Sequence, residues 1–103
     1  MVPSDALRLL LIVNSFASSV TARNTVLVQQ ALGAVADVST VETNRRGHAT
    51  RFAQDAAARG VDVVAVFGGD GTLNEAVNGI AGSGICLTQT ATFIRRILSQ
   101  RKA

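Results

Sequence analysis

Residues 61–79, VDVVAVFGGDGTLNEAVNG, hold the pattern that most narrows the fold. From Val63 to Phe67 the run is apolar and rich in β-branching, with no polar face, as in a strand buried on both sides. Four of the nine glycines and two of the seven acids then fall within residues 67–79. Bare backbone at the end of a buried strand lets a bulky group come close. Thr72 and Glu75, spaced T-x-x-E, read as a capping box that opens a helix directly behind the loop.

The same alternation runs upstream. RLLLIVN (Arg8 to Asn14) is a second continuous apolar run. SSVTARNTVLVQQALGAVA offers Ser and Thr as helix N-caps, with Val28, Leu32 and Val35 at helical spacing. DVSTVET reads as a shorter strand, and the alanine-rich GHATRFAQDAAARG reads as a helix that stops at Gly60. The order β-α-β-α-β, then glycine loop and helix, predicts an α/β fold: a Rossmann-like three-layer α/β/α sandwich on a parallel sheet, truncated to about three strands. In a spatial order 2-1-3, ligands gather where strand order reverses, beyond Asn14 and Phe67. The third strand is then left as an apolar edge, which predicts self-association through the exposed sheet edge.

Charge and cysteine usage exclude several classes of function. Residues 1–84 carry six arginines and seven acids, whereas residues 85–103 carry Arg95, Arg96, Arg101 and Lys102 and no acid. The net charge of +3 therefore belongs to the tail, and a balanced body with four aromatic residues argues against a nucleic-acid surface. A lone Cys86 rules out an internal disulfide and provides no metal cluster, which fits a reduced cytoplasm. The apolar run Leu9–Val13 is short and has no basic segment before it, so no secretory signal is expected. No stretch nears the ~18 apolar residues of a spanning helix.

The loop Gly68-Gly69-Asp70-Gly71 followed by a helix has the form of a backbone cradle for phosphate. It is neither G-x-G-x-x-G nor G-x-x-x-x-G-K-[ST], and an acid sits at its centre. Asp70 beside phosphates calls for Mg²⁺, a hydroxyl or a donor side chain. A tight turn closed by Asp70 on nearby amides would use the same residues without any ligand.

GGDGTLNEAVNG resembles the signature of the diacylglycerol kinase catalytic-domain family, which includes bacterial lipid kinases and sphingosine and ceramide kinases. NAD kinases and phosphofructokinases look similar over the glycine loop, but the N-E-x-x-N-G continuation favours the lipid kinases. The family's first strand ends in an Asn-Pro-x-x-Gly loop that contacts nucleotide; in NSFAS, Asn14 is kept and Ser15 and Ser18 stand at the proline and glycine positions. TNRRGHA matches the family segment after the second strand through Thr43, Gly47, His48 and Ala49. The resemblance implies ATP and Mg²⁺ as cofactors and a lipid acceptor such as diacylglycerol. The nucleotide-binding residues it implies are Asn14, Ser15, Ser18, Thr43, Gly68, Gly69, Asp70, Gly71, Thr72, Asn74 and Glu75. No catalytic residue and no metal ligand is assigned. His48 is expected to cap or pack rather than catalyse, and Arg45 and Arg46 suit either phosphate or a solvated turn.

The resemblance covers residues 8–84. Beyond Gly84 the family continues to a Pro-x-Gly-[Ser/Thr]-x-Asn segment and a β-rich second domain. Here the chain reads ICLTQTATFIRRILSQRKA, a divergent basic tail that suggests a shifted frame or truncation first and an authentic short variant second. The expected domains are thus residues 1–84, the N-terminal part of a nucleotide-binding domain, and 85–103, the tail. Phe93, Ile94, Ile97 and Leu98 beside three arginines form a short basic amphipathic stripe. Its expected roles are to cover a sheet flank or, more weakly, to touch the inner membrane surface. The implied function is ATP-dependent phosphoryl transfer to a lipid hydroxyl, by a chain inactive alone. The alternatives are a non-catalytic nucleotide- or partner-binding remnant and an NAD kinase-like or sugar-phosphate kinase relative.

Overall fold

The computed structural model describes residues 7–17 and 20–101, with the backbone alone for 97, 98, 100 and 101. Eight elements alternate without exception: β1 (Leu7–Asn14), α1 (Ala22–Gly33), β2 (Ala36–Thr43), α2 (His48–Ala58), β3 (Val63–Phe67), α3 (Asp70–Ile80), β4 (Cys86–Gln89) and α4 (Thr90–Arg101). The strands form one parallel sheet in the order β2-β1-β3-β4. Strand order reverses between β1 and β3, as expected of a doubly wound sheet.

Each strand of the centre serves two cores because successive side chains point to opposite faces. Leu10, Ile12, Val64 and Val66 meet Ala49, Ala53 and Ala56 of α2 and Ala76 and Ile80 of α3. Leu9, Leu11, Val13, Val63 and Ala65 meet Leu32 of α1, with Phe93 and Ile94 of α4 packed against them. The result is the predicted three-layer α/β/α sandwich, with α2 and α3 on one face and α1 and α4 on the other.

Two local signals act as read from the sequence. The Thr21 hydroxyl accepts the Asn24 N–H at 3.0 Å and caps α1. Gly60 ends the turn after α2 at φ +74°, a left-handed conformation suited to glycine.

The sheet has four strands rather than about three. After α3, Gly82 and Gly84 at positive φ turn the chain back, and the Ser83 hydroxyl donates to the Ile80 carbonyl at 2.6 Å. Cys86–Gln89 then pairs with Val63–Val66. β3 is therefore an interior strand, and the edge expected there is covered. β4, four residues long, is the new edge on that side. The tail's apolar stripe is spent in part on the sheet, since Phe93 and Ile94 pack into the second core. The Ile97, Leu98 and Arg101 side chains and Lys102 lie outside the described residues, as does the N-terminal segment before Leu7.

α3 lies unusually close to α2. A Cβ on Gly79 would stand 2.6 Å from the Ala53 Cβ and overlap the Thr50 carbonyl oxygen, so only glycine allows this approach. No helix among the described residues is long and apolar enough to cross a membrane.

Candidate functional site

The parallel register brings three chain segments to one level. Asn14 pairs with Thr43 at the ends of β1 and β2, and Val13 pairs with Phe67, so Gly68 begins beside Asn14. An open cleft of about 280 Å³ lies there, at the carboxyl ends of the strands and the point of reversal. Asn14 and Phe16 border it from the β1–α1 loop, Thr43, Arg45 and Arg46 from the β2–α2 loop, and Gly71, Thr72 and Glu75 from α3.

Hydrogen bonds lock these walls to one another. The Asn14 side-chain amide donates to the Thr72 hydroxyl at 3.0 Å, and its oxygen accepts the Phe16 N–H at 3.1 Å. The Thr43 hydroxyl, buried, donates to the Val13 carbonyl at 3.4 Å. Glu75 accepts the Gly47 N–H at 3.0 Å, while its own carbonyl accepts the Thr50 hydroxyl at 2.8 Å.

The capping box is not formed. α3 begins at Asp70 with Gly69 as its N-cap, and Leu73 N–H donates to the Gly69 carbonyl at 3.3 Å. Thr72 thus lies within the first turn, where its hydroxyl meets Asn14, and Glu75 lies a turn further on, where its carboxylate reaches Gly47. No side chain caps the start of α3 at Gly69.

The glycines of the loop divide by role, and none of them has positive φ. A Cβ on Gly68 would sit 2.8 Å from the Asn14 Cβ, so Gly68 is glycine to admit β1. Gly69 and Gly71 face open space, with nothing within 4 Å of where a Cβ would be. Gly71 keeps the cleft floor bare. Asp70 is exposed, and its side chain makes no hydrogen bond or ion pair among the described residues, so the ligand-free turn closed by Asp70 is not what forms.

Of the residues singled out from the sequence, Asn14, Thr43, Gly71, Thr72 and Glu75 border the cleft. Gly68, Gly69 and Asp70 form its approach to α3, and Asn74 is exposed on that helix. Ser15 lies in a neighbouring depression beside the start of α1, and Ser18 lies outside the described residues. His48 opens α2, accepts the Asn44 N–H at 3.5 Å and meets Phe52 edge-on at 5.8 Å, which is a packing role. Phe16 is the residue the sequence reading passed over; it stands at a variable position of the NSFAS loop, and the fold carries it to the cleft. Among the described residues no group of three metal-binding side chains occurs.

Known proteins share this chain's sequence pattern and fold. The profile of the diacylglycerol kinase catalytic domain matches residues 8–94. A diacylglycerol kinase of Staphylococcus haemolyticus is 51% identical over 45 residues, 44% of this chain and 14% of that protein. A diacylglycerol kinase of Bacillus subtilis is 49% identical over 45 residues, covering 15% of its length. The solved structure of a diacylglycerol kinase from Bacillus anthracis superposes with a TM-score of 0.68 at 34% identity, over 84% of this chain and 32% of that one. The chain therefore matches less than a third of these relatives' own length. With the profile matching residues 8–94 and a solved diacylglycerol kinase structure superposing over 84% of the chain, the chain belongs to the diacylglycerol kinase catalytic-domain family.

Proposed function

We propose that this chain is the nucleotide-holding part of an ATP-dependent lipid kinase, and that it binds Mg²⁺-ATP without transferring phosphate on its own. The observation that carries the reading is the uncapped start of α3 at Asp70, with Gly71 in its first turn, where the missing side chain leaves room in the cleft. Backbone N–H groups at a helix start favour phosphate. Gly69, Asp70, Gly71 and Thr72 hold the phosphates, Gly68 sets the approach, and Asn14 and Thr43 present polar edges from the strand ends. Ser15, Ser18 and Asn74 extend these contacts at the margins. Glu75 holds the β2–α2 loop in place, and Arg45 and Arg46 of that loop offset phosphate charge.

The donor set fits Mg²⁺ only together with nucleotide. Mg²⁺ is commonly held by one or two carboxylates plus phosphate oxygens, and Asp70 offers such a carboxylate beside the α3 terminus. When bound it supplies charge neutralisation at the transferring phosphoryl group. The acceptor in this reading is a lipid hydroxyl such as that of diacylglycerol, reached at a cytoplasmic membrane surface by peripheral contact.

Thermal unfolding tests the reading. Mg²⁺-ATP at a hundred times its Kd adds about 2.7 kcal/mol to stability, an upward Tm shift on the order of 10 °C for a domain this small. An unchanged Tm at millimolar Mg²⁺-ATP sinks the proposal. Transfer of labelled phosphate to diacylglycerol by the chain alone overturns its second half.

A further inference from the structure

We propose that Phe16 is the platform on which the base of a bound nucleotide stacks. The inference rests on the nucleotide reading above and assigns a residue that neither the motifs nor the glycine loop requires. Phe16 is 77% exposed, the most exposed large apolar side chain among the described residues, yet it borders the cleft instead of the sheet core. Its backbone is pinned: Phe16 N–H donates to the Asn14 side-chain oxygen, and Ala17 N–H donates to the Asn14 carbonyl, each at 3.1 Å. An aromatic ring is thus presented to solvent from a turn anchored on a residue of the cleft itself.

Size places the base near this ring. At about 280 Å³ the cleft is at the lower limit of small-molecule sites, roughly 300–1,000 Å³. A nucleoside triphosphate whose phosphates sit on Gly71 and the α3 start overfills it, and the base emerges at the rim. Two kinds of rim are available. Arg45 and Arg46 of the β2–α2 loop suit anionic oxygens, whereas Phe16 of the β1–α1 loop suits a flat, apolar ring. Stacking on one aromatic face holds any base by its π-surface, so the contact adds affinity for nucleotides without selecting adenine over guanine.

Isothermal titration with the full chain separates the base from the phosphates by using two probes, Mg²⁺-ATP and Mg²⁺ with inorganic tripolyphosphate. Phe16→Ala is expected to weaken ATP about tenfold and to leave tripolyphosphate unchanged. The chain has no tryptophan, so Phe16→Trp supplies a single fluorophore that ATP should quench and tripolyphosphate should not. Equal ATP affinity in Phe16→Ala and wild type overturns the stacking while the nucleotide reading stands. Equal weakening of both probes also overturns it, since the substitution then acts through the Asn14 turn. Loss of binding to anionic phospholipid vesicles with ATP affinity intact assigns the ring to a membrane and overturns it as well. A wild-type chain that binds tripolyphosphate but gains nothing from the nucleoside of ATP rejects the stacking alone; one that binds neither rejects both readings.

Discussion

The Asn14 amide donates to the Thr72 hydroxyl across 3.0 Å, joining residues 58 positions apart and tying the end of β1 to the first turn of α3. Asn14→Ala removes this bond and the acceptor for Phe16 N–H, for an expected loss of about 1–2 kcal/mol in denaturant unfolding. Asn14→Asp keeps an acceptor for both groups, with the Thr72 hydroxyl now donating. Its stability should stay near wild type while the added charge in the cleft weakens Mg²⁺-ATP, a split that titration and unfolding read separately.

Gly68 and Gly71 should fail in different ways. Alanine at Gly68 drives a methyl into the Asn14 side chain, and Tm should fall. Alanine at Gly71 meets nothing within 4 Å, so Tm should hold while ATP affinity drops at least tenfold as the methyl takes ligand space. An alanine at Gly71 that binds ATP normally would remove the cradle from the account.

The α2–α3 contact predicts a stability effect remote from the cleft. Gly79→Ala overpacks against Ala53 and the Thr50 carbonyl and should cost about 1–3 kcal/mol. Gly33→Ala is the control: it lies in the last turn of α1 with open space around it, and should be neutral or gain up to roughly 1 kcal/mol.

Ending the chain at Gly84 removes β4 and α4, uncovering the β3 edge together with the second core beneath Phe93 and Ile94. The shortened chain should sediment as larger species than the full chain at equal concentration. Indistinguishable sedimentation would show that β4 protects nothing.

Strands with continuous apolar centres and strong breakers were readable in advance. Leu9–Val13 of β1 and all of β3 have no polar face to hide, Thr21 caps where Ser and Thr precede helical spacing, and Gly60 stops α2. β4 was not legible, because four residues of mixed polarity carry almost no pattern and gain their structure from the open side of β3. The T-x-x-E spacing misled for a related reason: Thr72 and Glu75 have partners far away in sequence, at Asn14 and Gly47, and these prevailed over the local cap. Most of the cleft could be named from its motifs. Phe16 could not, since an isolated aromatic in a loop acquires meaning only when the sheet register sets it beside Thr43 and Gly71.

Glu75 engages the β2–α2 region twice, by side chain to Gly47 and by main chain to Thr50. Two such fastenings, with Gly79 pressed against Ala53, make α2, α3 and the loop bearing Arg45 and Arg46 a single mechanical piece. Bulk introduced at Gly79, which must prise α3 from α2, should therefore be felt at the arginines, so that one jaw of the cleft is tuned from the other end of its helix.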